Sequence, residues 1–242
     1  MKKLILILLL ITTTLLGENL FKPTYTFQNA SINYLNWTQR TEDKTPQKDF
    51  VYLELEGGAG FSWGEFYMFI DAENPTHSWN DEPADNLRLV FKPILDISIV
   101  DNFYLHIQDY NLQSKEFYIS NFFTGLAYKI NTDFGLWIKP FIATHYQAST
   151  YYSGFNGYAV GWTFLYDLKI QEQKFSISQW HECTLDRRDP GYNDKTGRQG
   201  ALAFWWHTTD SITTGLQYRY ASHELGSEIY QDGFIYSLKY NF

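Results

Sequence analysis

The sequence predicts an all-β protein, a transmembrane antiparallel β-barrel of about 12 strands of the outer-membrane type. Three observations carry that expectation. The chain closes on DGFIYSLKYNF, where Phe234, Tyr236, Leu238, Tyr240 and Phe242 form an apolar stripe at period two, with Ser237, Lys239 and Asn241 between them. The same alternation recurs along the chain in segments near the roughly 9–11 residues that cross a bilayer at a tilt. Finally, 8 Trp, 19 Tyr and 19 Phe among 242 residues are more rings than a single soluble core readily buries.

From the N-terminus, MKKLILILLLITTTLLG has two lysines, a short apolar run and small residues near its end, the layout of a secretory signal peptide over residues 1–17. No cysteine follows that run, which excludes a lipoprotein anchor. Removing Lys2 and Lys3 leaves 17 basic residues against 27 acidic, taking the net charge from −8 to −10. Nucleic acid is therefore a poor partner. Residues 18–27, ENLFKPTYTF, are expected to be a short periplasmic segment that is a tail or tucks into the barrel mouth, and 28–242 the barrel itself. Mean hydropathy is −0.35, and beyond Gly17 no apolar run is long enough for a helical span.

Strands are expected near 28–38, 49–57, 62–71, 86–94, 102–109, 119–130, 136–146, 156–167, 173–182, 199–207, 211–221 and 232–242. VYLELE sets Val51, Leu53 and Leu55 against Tyr52, Glu54 and Glu56; EFYMFID sets Phe66, Met68 and Ile70 against Glu65, Tyr67, Phe69 and Asp71. LRLVFKP sets Leu87, Leu89 and Phe91 against Arg88 and Lys92. YAVGWTFLY and ITTGLQYRY repeat the pattern, the latter with Arg219 on the polar side. In these registers the apolar face carries no charge. The opposite face mixes charges with Tyr67, Phe69, Tyr104, Phe123, Phe141 and Trp205, which suits a narrow lumen better than open water. Trp205 and Trp206 are adjacent, so one faces in and the other sits in the interfacial belt.

Connections alternate in character. Tight turns are expected at GGAGF, DISIVD, NTDFG and HTTD, and longer external loops at TEDKTPQKD, ENPTHSWNDEPADN, DRRDPGYNDKTGRQ and ASHELGSEIYQ. That rhythm, an even strand count and both ends of the barrel on the turn side place the chain in a Gram-negative outer membrane. The bilayer requires closure, because an open sheet leaves backbone groups unpaired in lipid.

These residues resemble the Tsx family of nucleoside-specific outer-membrane channels. YLELEGGAGFSWGEFYMFIDAENP, Tyr52 to Pro75, is similar to the family's second hairpin; QNASINYLNWTQR resembles its first strand, FFTGLAYKINTDFGLWIKPFIATHYQ its central hairpin and DGFIYSLKYNF its closing strand. The likeness runs in order over most of the chain, with shorter loops than the family pattern. It implies a monomeric barrel passing nucleosides or similar small aromatic solutes by diffusion, folded by the barrel assembly machinery.

Such a pore needs ring faces for stacking and donors and acceptors for sugar and base edges. Candidate pore-lining residues are Tyr52, Tyr67, Phe69, Tyr104 and Trp205 for the first task, and Glu54, Glu56, Glu65, Asp71, Arg88, Lys92, His106 and Lys239 for the second. Each also has a structural reading, as a lumen ion pair or a packing ring. Acidic groups on two adjacent strands beside Arg88 and Lys92 on the next predict a field across the lumen. A general small-solute porin, or a surface barrel to which phage attaches, is the alternative.

An enzyme is not expected. Neither Gly-x-Ser-x-Gly nor His-Glu-x-x-His occurs, which disfavours an outer-membrane hydrolase. Cys183 is the single cysteine, so no internal disulfide forms. The acidic loop around Asp186, Asp189 and Asp194 lacks calcium-loop spacing, and neither metal nor cofactor is expected.

Overall fold

A computed structural model describes residues 20–82 and 85–242; the signal-peptide expectation for residues 1–17 lies outside them. Thirteen strands form one antiparallel sheet: β1 (Tyr25–Trp37), β2 (Phe50–Phe61), β3 (Gly64–Glu73), β4 (Arg88–Val100), β5 (Phe103–Gln113), β6 (Tyr118–Tyr128), β7 (Ile130–Asn131), β8 (Leu136–Ser149), β9 (Ser153–Ile170), β10 (Gln173–Leu185), β11 (Gly197–His207), β12 (Ile212–Glu224) and β13 (Ser227–Asn241). β13 pairs with β1, and β6 with β8, so twelve strands close into a ring. The two-residue β7 pairs only with β8 and lies outside the ring. Closure leaves no lipid-exposed edge, as a bilayer demands. The terminal stripe is thus half of the seam, with Leu238 opposite Ile32 and Tyr236 opposite Tyr34.

Several strands run longer than the sequence suggested. β1 begins at Tyr25, three residues ahead of the expected start, and pairs Tyr25 with Gly60. The glycines of GGAGF are part of β2, where Gly58 and Gly60 give Phe27 and Tyr25 the space to lie flat against the inner wall, and the turn falls at Ser62–Trp63. DISIVD likewise belongs to β4, with Asp101 taking the left-handed turn conformation at φ 45°. ASHELGSEIYQ is not a loop: β12 and β13 extend through it to a turn at Leu225–Gly226, where both residues have positive φ. Glycine at 226 adopts that geometry without a Cβ penalty. Leu87 lies in the β3–β4 connection, bonded through its N–H to Ser78, rather than in the wall.

One end of the barrel has the turns and both ends of the wall. At the other, the connections β1–β2, β3–β4 and β10–β11 are long. The first carries helix α1 (Gln39–Lys44), whose N-cap Thr38 accepts from the Thr41 N–H and donates its hydroxyl to Asp232 of β13.

The wall obeys its alternation. On the outer face Ile32, Val51, Leu53, Leu55, Leu89, Ile142, Leu216 and Leu238 are exposed, Leu55 to 59%. Phe103, Tyr128, Trp206, Tyr240 and Phe242 ring the turn end, and Tyr118, Tyr146, Tyr151 and Tyr158 the loop end, matching the two aromatic girdles of outer-membrane barrels. The inner face is polar and nearly filled: Gln108, Asn33, Asp96, His106, His145 and Lys92 are all buried.

Candidate functional site

Cross-strand register places the lumen groups. Glu56, Glu54 and Tyr52 of β2 stand opposite Phe69, Asp71 and Glu73 of β3, and Phe69 and Glu73 stand opposite Lys92 and Arg88 of β4. Because side chains alternate along a strand, Tyr67 and Glu65 share the same inner face, as do Tyr104 and His106 of β5, Trp205 of β11 and Lys239 of β13. Trp206 points outward, its indole N–H donating to Gln173 Oε1 at 2.8 Å near the turn end.

Most interior charges are paired, while Glu54 and Asp71 stand opposite each other on β2 and β3 with no ion-pair partner among the described residues. Lys239 Nζ sits 2.6 Å from Glu56 Oε2 and 4.3 Å above the centre of the Trp205 ring. Arg88 Nε is 2.7 Å from Glu73 Oε2. Toward the turn end, Lys129 and Lys139 converge on Glu65, Lys139 also pairs with Asp96, and Asp96 Oδ1 lies 2.7 Å from His106 Nδ1. The expected field between acidic β2 and β3 and basic β4 is therefore divided among local pairs, with an acidic patch left at Glu54 and Asp71. Buried charges demand such partners, since isolated ones cost several kcal/mol each.

The pair with the widest span crosses the lumen. Lys92 of β4 reaches Glu182 of β10, five strands away around the ring, at 2.6 Å, and Gln108 Nε2 of β5 donates to the same Glu182 Oε1 at 2.7 Å. Trp180 lies beneath this bar, with Lys92 Nζ 5.0 Å and the Arg219 guanidinium 4.9 Å from its ring centre. Ring faces continue along β1 to β3, where Phe27, Tyr67 and Phe69 neighbour one another at 6.2 and 6.4 Å, and Tyr67 donates to Glu56 Oε1 at 2.8 Å. His106 stacks on Phe141 at 4.5 Å.

Two candidates sit differently from a free lining. Tyr52 is packed among Leu35, Trp37 and Ile235 in an apolar cluster near the loop end, and His106 is sealed between Asp96 and Phe141. A lumen of twelve strands is narrow enough that long inner side chains touch across it. That same narrowness recruits groups outside the candidate set: Glu182, Trp180, Arg219, Lys139 and Asp96. The alternation of QKFSISQWHECTL carries the signal for Glu182, since Ser176, Ser178, Trp180, Glu182 and Thr184 share one face. Nothing in the linear order says that it meets Lys92.

A closed membrane barrel whose interior is lined by polar side chains is an outer-membrane channel. Among solved structures, a NanC porin shares the fold with a TM-score of 0.55 at 12% identity, over 88% of this chain and 100% of the porin. The COG4313 outer membrane channel from Pseudomonas putida F1 aligns over 93% of this chain and 97% of its own at 10% identity and a TM-score of 0.46. Residues 32–242 match the family described as nucleoside-specific channel-forming protein, Tsx, and the chain belongs to that family. It is a passive channel of the bacterial outer membrane.

Proposed function

We propose that the channel passes nucleosides or closely similar small aromatic solutes down their gradient, without cofactor, energy coupling or catalysis, and as a monomer. One observation carries this reading: stacking surfaces and paired charges alternate on the inner wall, with Phe27, Tyr67 and Phe69 beside Glu56, and Trp205 beside Lys239. A nucleoside offers a flat base to the rings and neutral donors and acceptors to the pairs. Weak contacts at successive places let a solute enter and leave. Tyr67, Phe69 and Trp205 are the proposed stacking residues, and Glu54, Glu56, Asp71, Arg88, Lys92 and Lys239 the hydrogen-bonding ones. Tyr52, Tyr104, Glu65 and His106 support the wall around them.

Conductance across planar bilayers, measured while adenosine, thymidine and ribose are titrated, tests the reading. Replacing Tyr67 or Phe69 by Ala should remove about 1–3 kcal/mol of solute binding per lost stack, with a larger loss for the nucleosides than for ribose. Equal block of the unaltered channel by ribose and by nucleosides would favour a general small-solute pore instead.

A further inference from the structure

The connection between β10 and β11, residues 186–196, folds over the loop-end mouth and is fastened on both sides. On one side Asn156 Oδ1 accepts from the N–H groups of Arg188 and Asp189, at 2.6 and 2.9 Å, while Gln147 Nε2 donates to Asp189 Oδ2. On the other, the Arg187 guanidinium donates to the His223 carbonyl at 2.6 Å and to the Asp194 and Thr196 carbonyls of its own loop, and the Tyr192 ring lies 4.1 Å beneath it. Arg187 is 5% exposed. Arg187 thus staples the loop to the neighbouring β12–β13 hairpin, and with Tyr192 it faces Tyr110 of β5 and Asn121 of β6 on the far wall, so the loop lies across the mouth.

Beneath it lies a chamber of about 30 Å³ between the loop and the Lys92–Glu182–Gln108 bar. That is room for about a water or two, and far less than a nucleoside occupies. Its walls repeat the chemistry of the lower lumen: the rings of Tyr110, Phe123 and Tyr192 face Asn121, Gln199 and Glu224. Two further wall groups hold polar atoms without a protein partner, His145 Nδ1 and Arg187 Nε, on side chains more than nine-tenths buried. Buried polar atoms are ordinarily paired, and in this chamber water, or a solute's own donors and acceptors, can complete them. Charges around the chamber are mixed, with Glu182 and Glu224 against Arg187 and Lys92, which suits a neutral solute.

We propose that residues 186–196 are a hinged plug, and that the chamber beneath it is the entry subsite for a neutral, ring-bearing, hydrogen-bonding solute, occupied when the plug lifts. The second half rests on the function proposed above; the first does not. The plug reading needs only ions: in KCl, Arg187→Ala and Asn156→Ala, each cutting a different fastening, should raise conductance by about twofold or more if this mouth limits current. Both variants should keep the heat-dependent gel mobility of a folded barrel. The subsite reading needs adenosine added from one side. Tyr110→Ala and Phe123→Ala, both on the fixed wall, should each weaken block from the loop side by about fivefold or more, the low end for a lost stacking face, and change block from the turn side far less. Conductance at the unaltered level in both fastening variants overturns the plug. Loop-side block that is unchanged in both ring variants, in a channel whose unaltered form adenosine blocks, overturns the subsite. An unaltered channel that adenosine does not block overturns the nucleoside reading and the subsite together, and leaves the plug to the KCl measurement.

Discussion

Lys92→Met removes the cation from the bar across the lumen. Lys92 and Glu182 have side chains 11% and 8% exposed, and their charged atoms are 2.6 Å apart. Orphaning one member of a buried ion pair costs about 3–5 kcal/mol. Glu182 keeps the Gln108 amide at 2.7 Å, and a hydrogen bond to a charged group contributes about 1.5–3 kcal/mol. The expected loss is therefore at the low end, about 3 kcal/mol. Adding Glu182→Gln removes the orphaned charge, so the double variant should regain at least half of that loss, a coupling that a double-mutant cycle isolates. Urea unfolding in lipid vesicles, followed by tryptophan fluorescence and gel mobility, measures all three. Additive single costs in the double variant would refute a direct Lys92–Glu182 interaction across the lumen and with it the geometry of the bar.

Other perturbations probe the wall, the charges and the mouth. Leu55→Arg, at mid-strand on the outer face, should destabilise by about 2–4 kcal/mol, and Phe242→Arg at the rim by about 0–1; equal costs in vesicle folding titrations would contradict the lipid-facing assignment of the Leu55 face. Because Lys239–Glu56, Arg88–Glu73 and Lys92–Glu182 cancel locally, reversal potentials in a KCl gradient should show weak ion selectivity, and Lys239→Met should shift it toward cations; strong selectivity in the unaltered channel would contradict a paired lumen. In the loop, burial and the neighbouring Glu224 push the Tyr192 hydroxyl above its ordinary value, against the Gly226 N–H and Arg187. The contribution of neutral Tyr192 to holding the loop is then complete below the ordinary tyrosine value and lost as pH rises through the raised one. Conductance should increase reversibly over that alkaline window in the unaltered channel and not in Tyr192→Phe.

The sequence alone determined the class of fold, because a bilayer imposes a period of two and forbids charge on one face, and both marks survive in linear order. VYLELE and EFYMFID carry them plainly, and the inward or outward sense of every residue in those segments follows from parity. The turns were less legible. GGAGF reads as a breaker by composition, yet its glycines serve in β2 as clearance for Phe27 and Tyr25, a role that depends on the neighbouring strand. ASHELGSEIYQ reads as a polar loop because strands that project beyond the bilayer lose the apolar face that marks them, although β12 and β13 continue to pair there. What only the tertiary structure decided is who meets whom across the lumen. Lys92 and Glu182 are 90 residues apart, on strands that no local pattern links, and Arg187 and Tyr192 face Tyr110 of β5 by way of a loop that turns inward. Parity says that a side chain enters the barrel; the ring's closure, its twelve strands and the resulting narrow bore say which opposite side chain it reaches, and so which charges are cancelled and where the passage narrows.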